Sequence, residues 1–515
     1  MPPLLAPSHY QRAAPLLCLI AGLCSVFAFA PFGLWPVQFF AQALLFHAAS
    51  RAPNLKRTLL LGWAYGFGCF VFGVYWPYVS MHNYGDMSPP LAALAVVLFS
   101  LLLGVFAAIA VVSANWLRRR WQAGDTLSFL SIFPATWMLS EWLRDWIFTG
   151  FPWLATGYAH TNGPLAGFAP VLGVFGISWI AAIIAGSIAL SPQKRSSLAL
   201  ALLLPAAGFG LKSIAWTHPS GQAISVRLLQ GNVPQDEKFD SGHLSESLAM
   251  YDGILRAKPA DLIATPETAI AELPQLLPSD YLPRLVAFAK QTQSHLALGI
   301  VMSDSPGAYT NSVIDLSPQL NPGNLYRYDK HHLVPFGEFV PYGFHWFVQM
   351  LQIPLGDMNS GPPVQAPFAV KDQWILPNIC YEDLFGEEIA AEIGDAYSEG
   401  KPQATILLNV SNMAWFGQWL AVPQHLQTSQ MRALETGRTA LRATNTGATA
   451  VISPKGEILT ELKPYTRDVL EANVQGYVGL TPYILCGNAL VGCLAMLSLI
   501  AAGFVSRKKL SKLPI

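Results

Sequence analysis

Three residues whose types suit a single acyl-transfer reaction stand at the ends of strand-like runs. Glu267 closes "DLIATPE", Lys330 closes "NLYRYDK" and Cys380 closes "WILPNIC". A carboxylate can take the thiol proton, the thiolate can attack a carbonyl carbon, and an ammonium can stabilise the resulting oxyanion. No histidine is required if Glu267 is screened from water and its pKa rises toward neutrality. Each residue also has a plain reading: a lone cysteine packs, a lysine after a strand points to solvent, and Glu267 caps the next helix. Spacing alone does not choose, because one chain offers many Glu–Lys–Cys combinations. Cysteine usage says more. Of the six cysteines, Cys18, Cys24, Cys69, Cys486 and Cys493 lie in apolar runs, where they read as small hydrophobes with neither metal-type spacing nor a disulfide framework. Cys380 alone lies outside them, between an apolar run and the acids of "YEDLFG".

The elements that would position these residues read as an α/β domain over residues 217–479. "ISVRLLQGNV" is a strand ending in a Gly-Asn turn, and a helix is expected near 244–257. "DLIATPE" is a short buried strand. A helix near 281–293 and strands near 295–302, 309–316 and 323–330 follow, then an irregular segment to about 370. After "WILPNIC" come a helix near 384–398, the strand "ATILLNVSN", a helix near 420–436 and strands around "TALRATNTG", "ATAVISP" and "GEILTEL". Strand–helix alternation with antiparallel hairpins predicts a layered α/β sandwich, with chemistry where strands end.

The rest of the chain is of another kind. Only 12% of the 515 residues are charged, with 31 basic and 31 acidic, and mean hydropathy is +0.36. That composition disfavours nucleic-acid binding and favours a membrane protein. Apolar runs of bilayer length fall near 13–30, 34–50, 58–80, 90–114, 127–148, 165–190 and 196–215, with one more near 480–505. The expectation is a seven-helix transmembrane part over 1–216, the α/β domain, a closing transmembrane helix and a basic tail over 506–515. The fifth span carries Glu141, Arg144 and Asp145 and is the weakest. Basic residues cluster in "RAPNLKR", "RRR", "QKR" and "SRKKLSK", whereas the loops near 81–89 and 149–164 have none. The positive-inside rule then places both termini in the cytoplasm and the α/β domain outside. "AFA" at 28–30 looks like a signal-peptidase site, but the preceding run is too long for a signal peptide and reads as an uncleaved helix.

Four segments carry a family resemblance: "TPETAI", "YRYDKHHLVPFGEFVP", "NICYEDLFG" and "LNVSNMAWFG". They resemble the Glu, Lys, Cys and downstream segments of the nitrilase superfamily. With seven helices before the domain and one after, nearly the whole chain resembles the bacterial apolipoprotein N-acyltransferases. The resemblance implies an α-β-β-α sandwich on a membrane base, with Glu267 as general base and acid, Lys330 as oxyanion partner and Cys380 as nucleophile. It further implies supporting roles for Glu338, Tyr381 and Glu382, the Tyr381 N–H completing the oxyanion hole. Two departures show: Phe239 replaces the usual Trp, and Met413 replaces the acid of a Ser-Asn-Asp triplet. Phe239 still offers an aromatic wall.

The resemblance implies two substrates, a phospholipid acyl donor and the free α-amine of an S-diacylglyceryl-cysteine at a lipoprotein N-terminus, joined through a thioester. No cofactor or metal is expected, nor nucleic acid, and a monomer in the inner membrane of a bacterial cell is. The apolar segments 344–361 and 414–420, with Trp346, Trp415 and Phe416, read as arms contacting lipid, or else as ordinary core; the loop 148–162 could form a facing wall. One rival is a membrane-anchored amidase or hydrolase with the same triad. A transporter is the other, disfavoured because paired ionisable residues occur in one span only.

Overall fold

The computed structural model describes residues 7–238, 241–321, 323–341, 343 and 358–510. The chain divides into two compact units, one of Met1–Tyr78, Ser88–Ile214 and Cys486–Ile515, the other of Val79–Met87 and Ala215–Leu485.

The first unit is helical, with a helix at each expected place: Pro7–Ser25, Pro36–Ser50, Leu55–Gly73, Pro89–Trp121, Phe133–Arg144, Ala169–Leu190, Leu198–Leu211 and Ala489–Leu510. Among the described residues, four are long and apolar enough to cross a membrane. A fifth counts if Leu55–Gly73 and Pro77–Tyr84, bent by 58°, act as one span. The eight spans expected are therefore not all matched by length. Pro36–Ser50 and Leu198–Leu211 have 15 and 14 residues, which at about 1.5 Å per residue fall short of a hydrocarbon core about 30 Å thick. Phe133–Arg144 continues directly from the helical turns Asp125–Leu127 and Ser128–Ile132, and its charges set it apart. The charges in the fifth helix are buried rather than lipid-facing. Glu141 Oε1 accepts from Trp137 Nε1 at 3.1 Å, Thr156 N at 3.0 Å and Thr156 Oγ1 at 2.6 Å. Arg144 donates to the carbonyls of Phe151 and Trp153. These two side chains clamp the loop after their helix, which accounts for charge inside an apolar unit.

The closing helix expected over 480–505 is divided. Pro482–Cys486 belongs largely to the second unit, and the apolar helix begins at Ala489. Between them Gly487 takes φ +52°, a left-handed conformation that suits glycine and ends the short helix.

The second unit is built on two six-stranded sheets. The strands are β1 (His218–Gln230), β2 (Leu262–Ala264), β3 (His295–Ser305), β4 (Ala308–Leu316), β5 (Tyr326–Asp329), β6 (Phe368–Val370), β7 (Gln373–Ile379), β8 (Ile406–Ser411), β9 (Thr439–Thr444), β10 (Ala450–Ile452), β11 (Ile458–Glu461) and β12 (Asp468–Val478). One sheet runs β12-β1-β2-β3-β4-β5 and the other β11-β10-β9-β8-β7-β6. Their centres, β1-β2-β3 and β7-β8-β9, are parallel, and the flanking pairs are antiparallel. The first sheet is covered by helices Ser241–Arg256 and Tyr281–Thr292, through Tyr251, Leu255, Leu285 and Ala289 against Leu229, Ile263, Leu296 and Leu298. Helices Gly386–Ser398 and Ala421–Thr436 accompany the second. The result is the expected α-β-β-α sandwich. The sheets meet closely: Gln373 on β7 donates to the carbonyls of Ser220 and Gln222 on β1 at 2.7 and 2.8 Å, and a Cβ at Gly476 on β12 would overlap Gln373 Oε1. Strands β6 and β12 were not expected; β12 pairs along most of β1.

Candidate active site

Each of the three residues follows a parallel or edge strand, where the backbone leaves the ladder and turns a side chain into the space between sheets. Glu267 lies three residues beyond β2. Its approach is fixed by Thr265 N to Ala297 O (2.9 Å), Gly299 N to Thr265 Oγ1 (2.9 Å) and Ile270 N to Gly299 O (3.0 Å). A Cβ at position 299 would overlap the Pro266 carbonyl, so glycine is required for the loop to lie this close. Lys330 follows β5, with its N–H on Asn311 O at 2.8 Å. Cys380 follows β7 and opens the tight turn Cys380–Leu384. It takes φ +52°, a strained conformation for a residue with a Cβ, and such strain concentrates at functional sites.

Lys330 and Glu267 meet, and the supporting residues join them. Lys330 Nζ lies 3.3 Å from Glu267 Oε1 and 2.8 Å from Glu338 Oε1. Asn311 Nδ2 bridges the same two carboxylates at 2.7 and 2.9 Å. Asn412 N–H holds Glu267 Oε2 at 2.8 Å, and Val334 N–H holds Glu338 Oε2 at 2.9 Å. Lys330 is 1% exposed and Glu267 7%, so the ion pairs work in a low dielectric where both attraction and desolvation are large. Glu382 ties the lysine segment to the cysteine segment. Its carboxylate accepts from Ile379 N at 2.6 Å, His331 N at 2.7 Å, His332 N at 3.2 Å and Tyr328 Oη at 3.1 Å. Burial raises its pKa to about 7 against these donors. Tyr381 is buried with its ring edge-on to Phe385 at 5.3 Å.

The electrostatics differ from expectation at one group. Burial pushes Glu267 upward, as anticipated, but the Lys330 and Lys238 ammoniums and Asn311 hold it below the usual carboxylate value. Burial lowers Lys330, yet Glu338 and Glu267 raise it overall. Burial and the Glu267 charge push the Cys380 thiol up to about 12, against Lys330 and the Asn412 N–H. The resting site thus holds a carboxylate, an ammonium and a neutral thiol. Alkylation of Cys380 by iodoacetamide, followed on its own peptide by mass spectrometry, should therefore rise about tenfold per pH unit from pH 7 to pH 9. A plateau near pH 8 would show a pre-formed thiolate instead.

Sequence reasoning missed several members of this cluster. Lys238 is buried and donates to the Glu267 carbonyl at 2.8 Å; burial brings it down to about 8. Asn311 stands inside a strand whose alternation carries no catalytic signal. Asn412 lies beside the noted Met413, which is 1% exposed. Asn412 also bridges Gln235 Oε1 (2.6 Å) and Asn445 Nδ2 (3.0 Å). Trp415 is exposed, with its carbonyl accepting from Ser80 Oγ at 2.7 Å and its ring edge-on to Tyr84 at 5.6 Å. Phe416 is partly buried in the same turn, Ala414–Phe416. Phe239, Trp346 and most of segment 344–361 lie outside the described residues.

A double-sheet sandwich with a buried Glu, Lys and Cys at its strand ends defines the carbon–nitrogen hydrolase class, and the family model described as carbon-nitrogen hydrolase matches residues 226–483. A second model, the apolipoprotein N-acyltransferase N-terminal domain, matches residues 21–187. An apolipoprotein N-acyltransferase of Ralstonia nicotianae is 48% identical over 96% of this chain and 94% of its own length. Relatives of the same name from Nitrosomonas europaea and Bordetella bronchiseptica are 41% and 40% identical, over 95% and 96% of this chain and 97% of each relative. The chain belongs to the apolipoprotein N-acyltransferase family. With its apolar helices, it is a membrane protein. Among solved structures, an amidase from Nesterenkonia is similar over 53% of this chain and 96% of its own, with 18% identity and a TM-score of 0.38.

Proposed function

We propose that this acyltransferase moves a fatty acyl chain from a phospholipid, through a thioester on Cys380, to the α-amine of the S-diacylglyceryl-cysteine of a lipoprotein. The observation that carries the reading is the convergence of Glu267 and Lys330 from one sheet with Cys380 from the other in a buried site, in a chain of this family. As Cys380 Sγ attacks the ester carbonyl, its proton passes to Glu267 and a carbon–sulfur bond forms. Because the thiol is the weaker acid at rest, transfer is concerted with attack rather than prior to it. The oxyanion is met by Lys330, whose ammonium has three donors, and by the Tyr381 N–H. The carbon–oxygen bond breaks, Glu267 returns its proton to the leaving oxygen, and a lysophospholipid departs. The amine then attacks the thioester, Glu267 takes its proton, and collapse of the second oxyanion expels the thiolate, which Glu267 reprotonates. Water must be kept out between the halves.

In this reading residues 1–216 are the membrane base, 217–479 the catalytic domain, 480–505 the closing segment, whose apolar helix begins at Ala489, and 506–515 a basic cytoplasmic end. The chain works as a monomer in the bacterial inner membrane, with the catalytic domain outside, as the basic loops indicate. Trp346, Trp415, Phe416 and Phe239 contact lipid. A reporter active only outside the cytoplasm should be on when fused after Trp216, and one requiring the cytoplasm should be on when fused after Lys512; the reverse pattern would invert the topology. Turnover supplies the main test. Phospholipid alone should release about one lysophospholipid per enzyme and stall. A diacylated lipopeptide with a free α-amine should restart release, and its N-acetylated form should not. Steady release without amine would make the protein a lipase or amidase.

A further inference from the structure

Against the backbone of the nucleophile lies a buried polar chain that the reaction scheme does not use. His425, on helix Ala421–Thr436, places Nε2 3.1 Å from the Cys380 carbonyl. Its other nitrogen, Nδ1, lies 2.8 Å from Arg442 Nη2. Arg442 on β9 is paired at 3.1 Å with Asp383, three residues after the nucleophile, and also bonds Ser429, which donates to the same carboxylate. His425, Arg442, Asp383 and Ser429 are each at most 2% exposed.

The chemistry of the partners fixes the protons. A guanidinium can only donate, so Nδ1 of His425 must be the accepting nitrogen and its ring must carry hydrogen on Nε2. That hydrogen is then donated to the Cys380 carbonyl. The groups facing the ring are cationic: Arg442 in contact and Lys330 through space, with Asp383 paired to Arg442. Burial and Arg442 accordingly keep His425 well below its ordinary pKa. The ring is a fixed neutral donor.

We infer that His425, locked as the Nε2–H tautomer by Arg442, is a positioning residue that holds the left-handed turn at Cys380 and polarises the Cys380–Tyr381 peptide toward the oxyanion. The Cys380 carbonyl and the Tyr381 N–H are two ends of one planar trans group and point opposite ways. A donor on the carbonyl therefore both anchors the strained φ of +52° and strengthens the N–H at the far end. Asp383 and Arg442 carry this anchoring back to the same turn, so the nucleophile's backbone is braced at two points.

The inference rests on the acyl-transfer reading, but part of its test does not. In full-length protein with 15N-labelled histidine, the His425 resonances, assigned by their loss in His425→Gln, should show a bare Nδ1 and a protonated Nε2 from pH 5.5 to 8.5. A protonated Nδ1, or titration within that range, overturns the inference whatever the substrate. In single-turnover acylation by phospholipid, His425→Phe should slow formation of the Cys380 adduct on the order of 10- to 100-fold, with the half-saturating phospholipid concentration little changed. Glutamine can accept from Arg442 and donate to the carbonyl, so His425→Gln should recover most of the rate. Equal defects in both variants, or a wild-type rate in His425→Phe, would reject the positioning role. If wild-type enzyme forms no adduct, the acyl-transfer reading fails and the tautomer still stands or falls on its own.

Discussion

Cys380→Ser is expected to abolish acyl-enzyme formation, by roughly four orders of magnitude or more. The reason is specific to the resting charges. Glu267 is held below the usual carboxylate value by two ammoniums, so it is a weak base, and even the thiol lies near 12. A serine hydroxyl is several units less acidic still, and nothing in the site makes up that difference. The oxygen is smaller than the sulfur it replaces, so the fold is undisturbed. The measurement is intact-protein mass after incubation with phospholipid, beside a circular-dichroism check of folding. An acyl adduct on the serine variant at anything near the wild-type rate would remove Cys380 from the mechanism.

Lys330→Met should be nearly as damaging to activity and far more damaging to stability. The substitution leaves buried Glu267 and partly buried Glu338 facing one another, with Asn311 as their shared donor. Breaking a buried pair by removing one partner costs about 3–5 kcal/mol. The pH dependence has a definite sign. In the wild type, Lys330 is raised, so its contribution is complete below its unfolded value near 10.5 and is lost as pH rises through the higher folded value. Glu267 is depressed, so its contribution is complete above about 4.5 and is lost as pH falls. The pairing is thus whole from about pH 5 to pH 10. Without the ammonium the carboxylates prefer their protons, so the variant should be least stable near pH 8 and regain stability toward pH 5. Hydrogen exchange of β4 and β5 reads this directly. Adding Glu338→Gln should restore protection without restoring acylation. Unchanged exchange in Lys330→Met at pH 8 would contradict the buried triad of charges.

Each of the three chemical residues follows a short run that reads as a strand in isolation, but spacing alone did not choose them; the segments resembling the nitrilase superfamily did. Strand–helix alternation also showed a layered α/β sandwich, and the resemblance supplied its α-β-β-α order. What it hid were polar groups whose environment is set by distant chain. Helix Ala421–Thr436 carries Gln424, His425, Gln427, Gln430, Arg432 and Glu435, which in a linear reading make a solvated face; all six are buried. Lys238, Asn311 and Asn412 were illegible for the same reason. Their side-chain hydrogen bonds in the cluster span 27 to 177 positions, and no local pattern reports such pairings. Strand β12 went unread because its exposed edge residues interrupt the alternation, although β1 completes it. The raised pKa expected for Glu267 from burial is overcome by Lys330 first and by Lys238 and Asn311 after it.

The seam between the two sheets has a bearing on how the enzyme can be damaged. Glu267, Lys330 and Asn311 belong to the β1–β5 side, whereas Cys380 and Asn412 belong to the β6–β9 side, and the layers are held in register by contacts such as Gln373 against Ser220, Gln222 and Gly476. Neither layer owns a working set of groups. The distance from sulfur to carboxylate is therefore an interlayer spacing, much as the gap of a spark plug belongs to neither electrode. A substitution at the seam, far from any reacting atom, can widen that gap while both layers stay folded, and the loss would look like a chemical defect in an intact protein.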